Sequence, residues 1–84
     1  MSEVLVGNVS DFFSRPVVAG VNLTGTLKVG DRIKIKGHTT DLELSVDSIQ
    51  IDGKGVQEAN AGTSVGIKVP DRVRPGDTVY KVME

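Results

Sequence analysis

An all-β, antiparallel fold is what this sequence predicts, and three observations predict it. Apolar residues almost nowhere recur at helical spacing; they stand in short β-branched runs that alternate with polar residues. Ten glycines punctuate those runs, and with only two Phe, one Tyr and no Trp the core must be built of Val, Ile and Leu between tight turns. A chain of 84 residues is the size of one small domain, 1–84, with one core and no linker or low-complexity segment to divide it.

Six or seven strands are expected. The first covers Val4 to Phe12 and the second Val17 to Leu23, with Ser14-Arg15-Pro16 between them. Pro16 has no N–H to give a ladder, so it should open the second strand or sit on an edge. The third, Arg32 to Lys36, puts Ile33 and Ile35 on one face and Arg32, Lys34 and Lys36 on the other. The fourth runs from Thr39 to Ile51. Its apolar phase moves by one residue between Val46 and Ile49, which predicts a bulge near Asp47 and Ser48.

Gly37-His38 reads as a two-residue turn of type II′. That turn would set Lys36 opposite Thr39, Lys34 opposite Asp41, Arg32 opposite Glu43 and Ile33 opposite Leu42, neutralising the basic stripe within its own hairpin. Asp52-Gly53-Lys54-Gly55 reads as a loop, and Val56 to Ala61 as a short turn or strand. Thr63 to Val69 alternates through Val65 and Ile67 until Pro70-Asp71 ends it, and Thr78 to Val82 closes the chain, with Met83 and Glu84 expected to fray.

One short stretch is echoed. Leu27-Lys28-Val29-Gly30-Asp31-Arg32-Ile33 is matched by Val73-Arg74-Pro75-Gly76-Asp77-Thr78-Val79. Each copy has an apolar anchor, a basic residue, a spacer, Gly-Asp and then a strand. Glycine supplies a positive φ and aspartate bonds nearby amides, so the echo is turn chemistry and implies no ligand.

Composition also narrows function. Without cysteine there is no disulfide framework, thiolate metal site or cysteine nucleophile, and a reducing cytoplasm is the expected setting. No export signal opens the sequence and no apolar run is long enough to span a bilayer, so no membrane association is expected. The formal charge of −1 gives no global field toward nucleic acid, so any RNA site must be a local patch.

The run from Gly25 to Gly37 resembles the second domain of elongation factor Tu, elongation factor G and initiation factor 2. So does Val46-Asp47-Ser48-Ile49 followed by Val56, Ala59 and Ala61-Gly62-Thr63-Ser64-Val65-Gly66. Lys36-Gly37-His38-Thr39-Thr40-Asp41 and Val79-Tyr80-Lys81-Val82 resemble small free-standing translation elongation factor-like proteins and the tail domain of a collagenase-like peptidase family. These resemblances imply a six- to seven-stranded Greek-key barrel of the elongation factor domain 2 type.

No phosphate loop of the Gly-x-x-x-x-Gly-Lys-Ser/Thr kind occurs, so no bound nucleotide or GTP hydrolysis is expected. In elongation factor Tu this domain helps hold the end of aminoacylated tRNA with a Glu and an Arg. Asp47 and Gln50 stand at the matching positions, so the charge geometry differs. Ser14-Arg15-Pro16 likewise replaces the family's glycine-rich entry to the second strand.

No catalytic residue, metal site or cofactor is expected. His38 is the one histidine, without a second imidazole or thiolate to share a metal, and Thr39, Thr40 and Asp41 beside it make a poor catalytic set; His38 and Thr39 read as a turn or contact surface. Arg15, Lys54, Arg72 and Arg74 fall in loops, where they could meet phosphates or remain solvated charges. Phe12 and Phe13 are adjacent. Either the strand continues and one of them, Phe13, points outward to stack on a base or fill a partner's pocket, or the strand ends and both rings cap the barrel.

The resulting expectation is a non-enzymatic RNA- or ribosome-associated binding module with rRNA or tRNA as partner and Phe13, Arg15, Lys54, Arg72 and Arg74 as contacts. The alternative is a protein-interaction or regulatory barrel acting as a detached subunit with a protein partner. Neither the partner nor the oligomeric state can be read from the sequence.

Overall fold

A computed structural model describes residues 2–15 and 17–83. It contains ten strands: β1 (Ser2–Ser14), β2 (Val17–Leu23), β3 (Leu27–Lys28), β4 (Arg32–Lys36), β5 (Asp41–Ser45), β6 (Ile49–Ile51), β7 (Lys54–Val56), β8 (Glu58–Ala59), β9 (Ser64–Lys68) and β10 (Thr78–Met83). Eight form one antiparallel sheet in the order β5-β4-β10-β1-β2-β9-β6-β7, and β3 pairs with β8 in a second small sheet. The all-β antiparallel expectation holds, and no helix occurs among the described residues. The sheet's outer members, β5 and β7, are not paired with each other, so strand pairing does not close a barrel.

The inward faces meet in one core of aliphatic side chains, in which Leu27, Ile33, Ile35, Ile67 and Val79 are wholly buried. Alternation puts them there: Ile33 and Ile35 flank Lys34, and Val65 and Ile67 flank Gly66, as the strand period requires. β1 needs two irregularities to bend around this core. Its register with β10 shifts between Leu5 and Gly7, and its register with β2 shifts between Val9 and Asp11.

Several expectations are corrected. β2 and β4 have the expected bounds, but the fourth expected strand is two. β5 pairs with β4, β6 pairs with β9 and β7, and Val46 turns the corner between them, donating its N–H to the Asp31 carbonyl and accepting from Gly30, each at 2.8 Å. The phase change at Asp47 and Ser48 therefore marks a change of partner strand, not a bulge. The expected loop at Lys54 and Gly55 is β7, reached through a two-residue Asp52-Gly53 turn with φ of 52° and 79°. Pro16 and Glu84 lie outside the described residues. Met83 stays in register with Ser2.

The β4–β5 register is also corrected, by two residues. Lys36 faces Asp41, Lys34 faces Glu43, Ile33 faces Leu44 and Arg32 faces Ser45. The loop is four residues long, closed by Gly37 N–H to Thr40 C=O at 2.8 Å. Because the shift is an even number, every side chain keeps its expected face while every partner changes.

The echoed segments fold alike. Gly30 and Gly76 both have φ of 96°, where a Cβ would be strained. Asp31 and Asp77 each accept, at 2.9 Å, the backbone N–H three residues back, from Lys28 and Arg74 respectively. Each turn also exchanges two backbone bonds with a valine, the corner residue Val46 for the first and Val9 of β1 for the second. β4 and β10, which follow the two turns, pair so that Ile33 meets Lys81, Ile35 meets Val79 and Lys34 meets Tyr80. The echo is thus a local two-fold relation in the sheet, centred on the Lys34–Tyr80 pair.

Candidate functional site

Charge on the β4–β10–β1 face is used internally. Arg32 is ion-paired to Glu43, and Glu3 of β1 reaches across β10 to Lys34 at 2.9 Å and Lys36 at 3.0 Å. These bonds hold the Glu3 carboxyl below its ordinary 4.5 and the Lys34 ammonium above its ordinary 10.5. The expectation that the basic stripe is neutralised within its own hairpin holds only for Arg32; Lys34 and Lys36 share one acid, Glu3, from outside it. Lys81 pairs with Asp31 at 3.1 Å and Lys28 with Glu58 at 3.4 Å.

Among the described residues, Arg15, Lys54, Lys68, Arg72 and Arg74 take part in no ion pair. The expected contact residues Arg15, Lys54, Arg72 and Arg74 are therefore free of ion pairs among the described residues, but the fold does not gather them. Arg15 and Phe13 line one groove. Arg72 and Arg74 line another with Phe12, where the Arg72 guanidinium stands 5.8 Å from the ring centroid. Lys54 follows the Asp52-Gly53 turn that borders the first groove. His38 and Thr39 lie exposed in the β4–β5 loop, while Thr40 beside them is buried.

The groove beside Phe13 is the larger, an open trough of about 840 Å³ on the outer face of β1, β2, β9 and β6. Three rows of cross-strand neighbours build it. Phe13 opposite Val18 forms one end, Asp11-Gly20-Gly66-Gln50 crosses the middle, and Asn22 opposite Ser64 forms the other end beside Asp52. The strand does continue through both phenylalanines. Phe12 opposite Ala19 turns toward the core, and Phe13 turns outward and is 56% exposed.

Two paired glycines leave the middle of the floor without side chains. Ser64 Oγ donates to Asn22 Oδ1 at 2.7 Å, which turns the Asn22 amide NH2 away and leaves it able to donate. Sequence reasoning named Phe13 and Arg15, noted Gln50 only as a position matched to elongation factor Tu, and missed Asp11, Asn22 and the glycine floor. Glycines in the middle of strand patterns, at 20 and 66, were the signal.

No group of three or more His, Cys, Asp or Glu is gathered as a metal site among the described residues, and no helix is long and apolar enough to cross a membrane. What the groove offers is an apolar end, donors along its length and unpaired charges.

No protein-family model matches the chain. Over 83 residues, 98% of the chain, it is 41% identical to a fifth (20%) of a Methanocaldococcus jannaschii protein named as an uncharacterized protease. Over 81 residues, 94% of the chain, it is 35% identical to another fifth-length (20%) portion, of a Porphyromonas gingivalis collagenase. The chain thus spans about a fifth of the length of the curated relatives it matches. Among solved structures, the C-terminal domain of a Geobacillus thermoleovorans protein assigned to the U32 peptidases superposes with a TM-score of 0.89 at 18% identity, covering 95% of this chain and 93% of that one. The two chains share one fold.

The resemblance to a collagenase-like peptidase tail is supported by these relatives; the resemblance to elongation factor Tu is not shown by them. They also correct the functional expectation. The likeness is to part of a peptidase, not to a translation-factor RNA-binding module, and rRNA or tRNA partners lose their basis. The detached regulatory subunit gives way with them, and the relatives name no protein partner.

Proposed function

We propose that this chain is the non-catalytic, substrate-holding domain of a collagenase-like peptidase. It would bind polypeptide and leave cleavage to other parts of such an enzyme. The observation that carries this reading is the near-complete match of the chain to one fifth of proteins named as a protease and a collagenase. Four fifths of those relatives remain for a catalytic centre, whereas the lone His38 here sits on an exposed loop with no metal-type cluster around it among the described residues.

The expected Greek-key barrel remains our reading of the wider architecture, supported by the single core that both sheets share. We place the domain in the cytoplasm on its lack of cysteine.

The test is to pass the purified chain over immobilised gelatin and, separately, to incubate it with soluble gelatin while following new amino termini. Retention without cleavage is expected. Cleavage by the chain alone, or passage without retention, refutes the proposal.

A further inference from the structure

The groove beside Phe13 lies on the face of the sheet, not at its edge. The backbone groups of β2 that point sideways are taken by β1 and β9, and those of β9 by β2 and β6. A ligand here cannot bind by adding a strand. It must bring a backbone that needs no ladder and be recognised by packing and by side-chain donors. A polyproline II segment has that property, since its backbone makes no internal hydrogen bonds and its imino rings pack on aromatic surfaces.

The groove supplies Phe13 and Val18 for rings, an unobstructed glycine floor, and the Asn22 and Gln50 amides for carbonyls. Its end charges are opposite and lie diagonally across the strands. Arg15 stands at the Phe13 end beside β1 and Asp52 at the Asn22 end beside β6, with Asp11 in the middle row, and among the described residues none of the three is ion-paired. Five strand steps from Val17 to Asn22 and three strand spacings from β1 to β6 put these ends on a diagonal of about 22 Å. A polyproline II chain, rising about 3.1 Å per residue, covers that span in about seven steps.

Resting on the substrate-holding reading, we propose that this groove binds a proline-rich segment carrying an acidic group against Arg15 and a basic group against Asp52, about seven residues apart. The carboxylate meets the guanidinium in the planar geometry both favour, the ammonium meets the Asp52 carboxylate, and the intervening rings cover Phe13, Val18 and the floor.

The probe is a labelled Lys-Pro-Pro-Pro-Pro-Pro-Pro-Glu peptide, titrated with the full chain by fluorescence anisotropy beside Lys-Pro-Pro-Pro-Pro-Pro-Pro-Lys, Glu-Pro-Pro-Pro-Pro-Pro-Pro-Glu and the flexible Lys-Gly-Ser-Gly-Ser-Gly-Ser-Glu. The mixed-charge proline peptide is expected to bind most tightly. Phe13→Ala, at an exposed position, should weaken it by about tenfold. Gly66→Ala, which raises the floor and sets a Cβ 3.2 Å from Val18 Cγ1, should weaken it as well. Arg15→Glu should reverse the preference toward the dilysine peptide.

Charge-blind binding, equal binding of the flexible peptide, or groove variants that bind like the parent overturn the proposal. Gelatin retention by the same proteins separates the two claims. Gelatin held without binding of the proline peptide sinks the groove assignment alone, and loss of both sinks the substrate-holding reading with it.

Discussion

Replacing Gly37 by Ala should destabilise the protein through a residue forty positions away. A Cβ at position 37 would lie 2.6 Å from Asp77 Cγ and closer still to Oδ1, well inside van der Waals contact. Asp77 is 5% exposed, and its Oδ2 accepts the Arg74 N–H at 2.9 Å. The carboxylate cannot swing away without breaking the bond that shapes the second Gly-Asp turn. Losing a hydrogen bond to a charged, buried acceptor costs about 1.5–3 kcal/mol. The lower unfolded-state entropy of Ala relative to Gly offsets about 0.4–1 kcal/mol.

A net loss of about 0.5–2.6 kcal/mol lowers the melting temperature of a domain this size by about 2–20 °C. Thermal denaturation followed by circular dichroism measures it. In an Asp77→Ala background the added methyl meets no carboxylate, so Gly37→Ala should there cost nothing further. Equal costs in both backgrounds, or a Gly37→Ala protein as stable as its parent, would refute the claim that this glycine exists to seat Asp77.

Other consequences follow from the same geometry. Ile35→Ala, at a wholly buried site, should cost about 2–5 kcal/mol in urea denaturation. Gly53→Ala should destabilise by about 1 kcal/mol because φ is 79°, whereas Gly55→Ala, with open space around its Cβ, should be neutral or slightly stabilising. Glu3 titrates below 4.5 in the folded state, so its contribution is present above that pH and fades as pH falls through the lowered value. Glu3→Gln should lose this acid-side dependence of the melting temperature. Lys34, raised above 10.5, contributes below that pH, and its share fades as pH rises through the raised value. Phe13→Ala should change stability by less than about 0.5 kcal/mol, as expected for an exposed side chain that packs into no core.

The strands that were legible in the sequence were those long enough to show a period. β2 and β4 carry several alternations each, and their bounds could be read directly. β3 and β8 have two residues apiece and β7 has three, too few for alternation to register. β7 still had a signal in Asp52-Gly53, a dipeptide suited to a two-residue hairpin.

The β4–β5 register failed because Gly37 was taken for its backbone freedom, when it is there for a close approach to Asp77. That contact belongs to the tertiary fold, and no local pattern announces it. The same holds for Glu3, whose lysine partners lie two strands away. The Gly-Asp echo was readable as turn chemistry, but its two-fold arrangement emerges only when β4 and β10 pair.

At the candidate site, the outward ring of Phe13 and the loop position of Arg15 were accessible from strand parity and composition. The groove between them depends on which strands become neighbours. Asp11, Gly20, Gly66 and Gln50 come from four separated segments, and only the strand order sets them in one row.

The proposed substrate-holding role is tested by gelatin hydrolysis by the Porphyromonas gingivalis collagenase with its matching fifth deleted, and again with this chain in its place. Deletion should raise KM with kcat little changed, and the hybrid should recover the lower KM. An unchanged KM on deletion, or a hybrid no better than the truncated enzyme, would contradict that role.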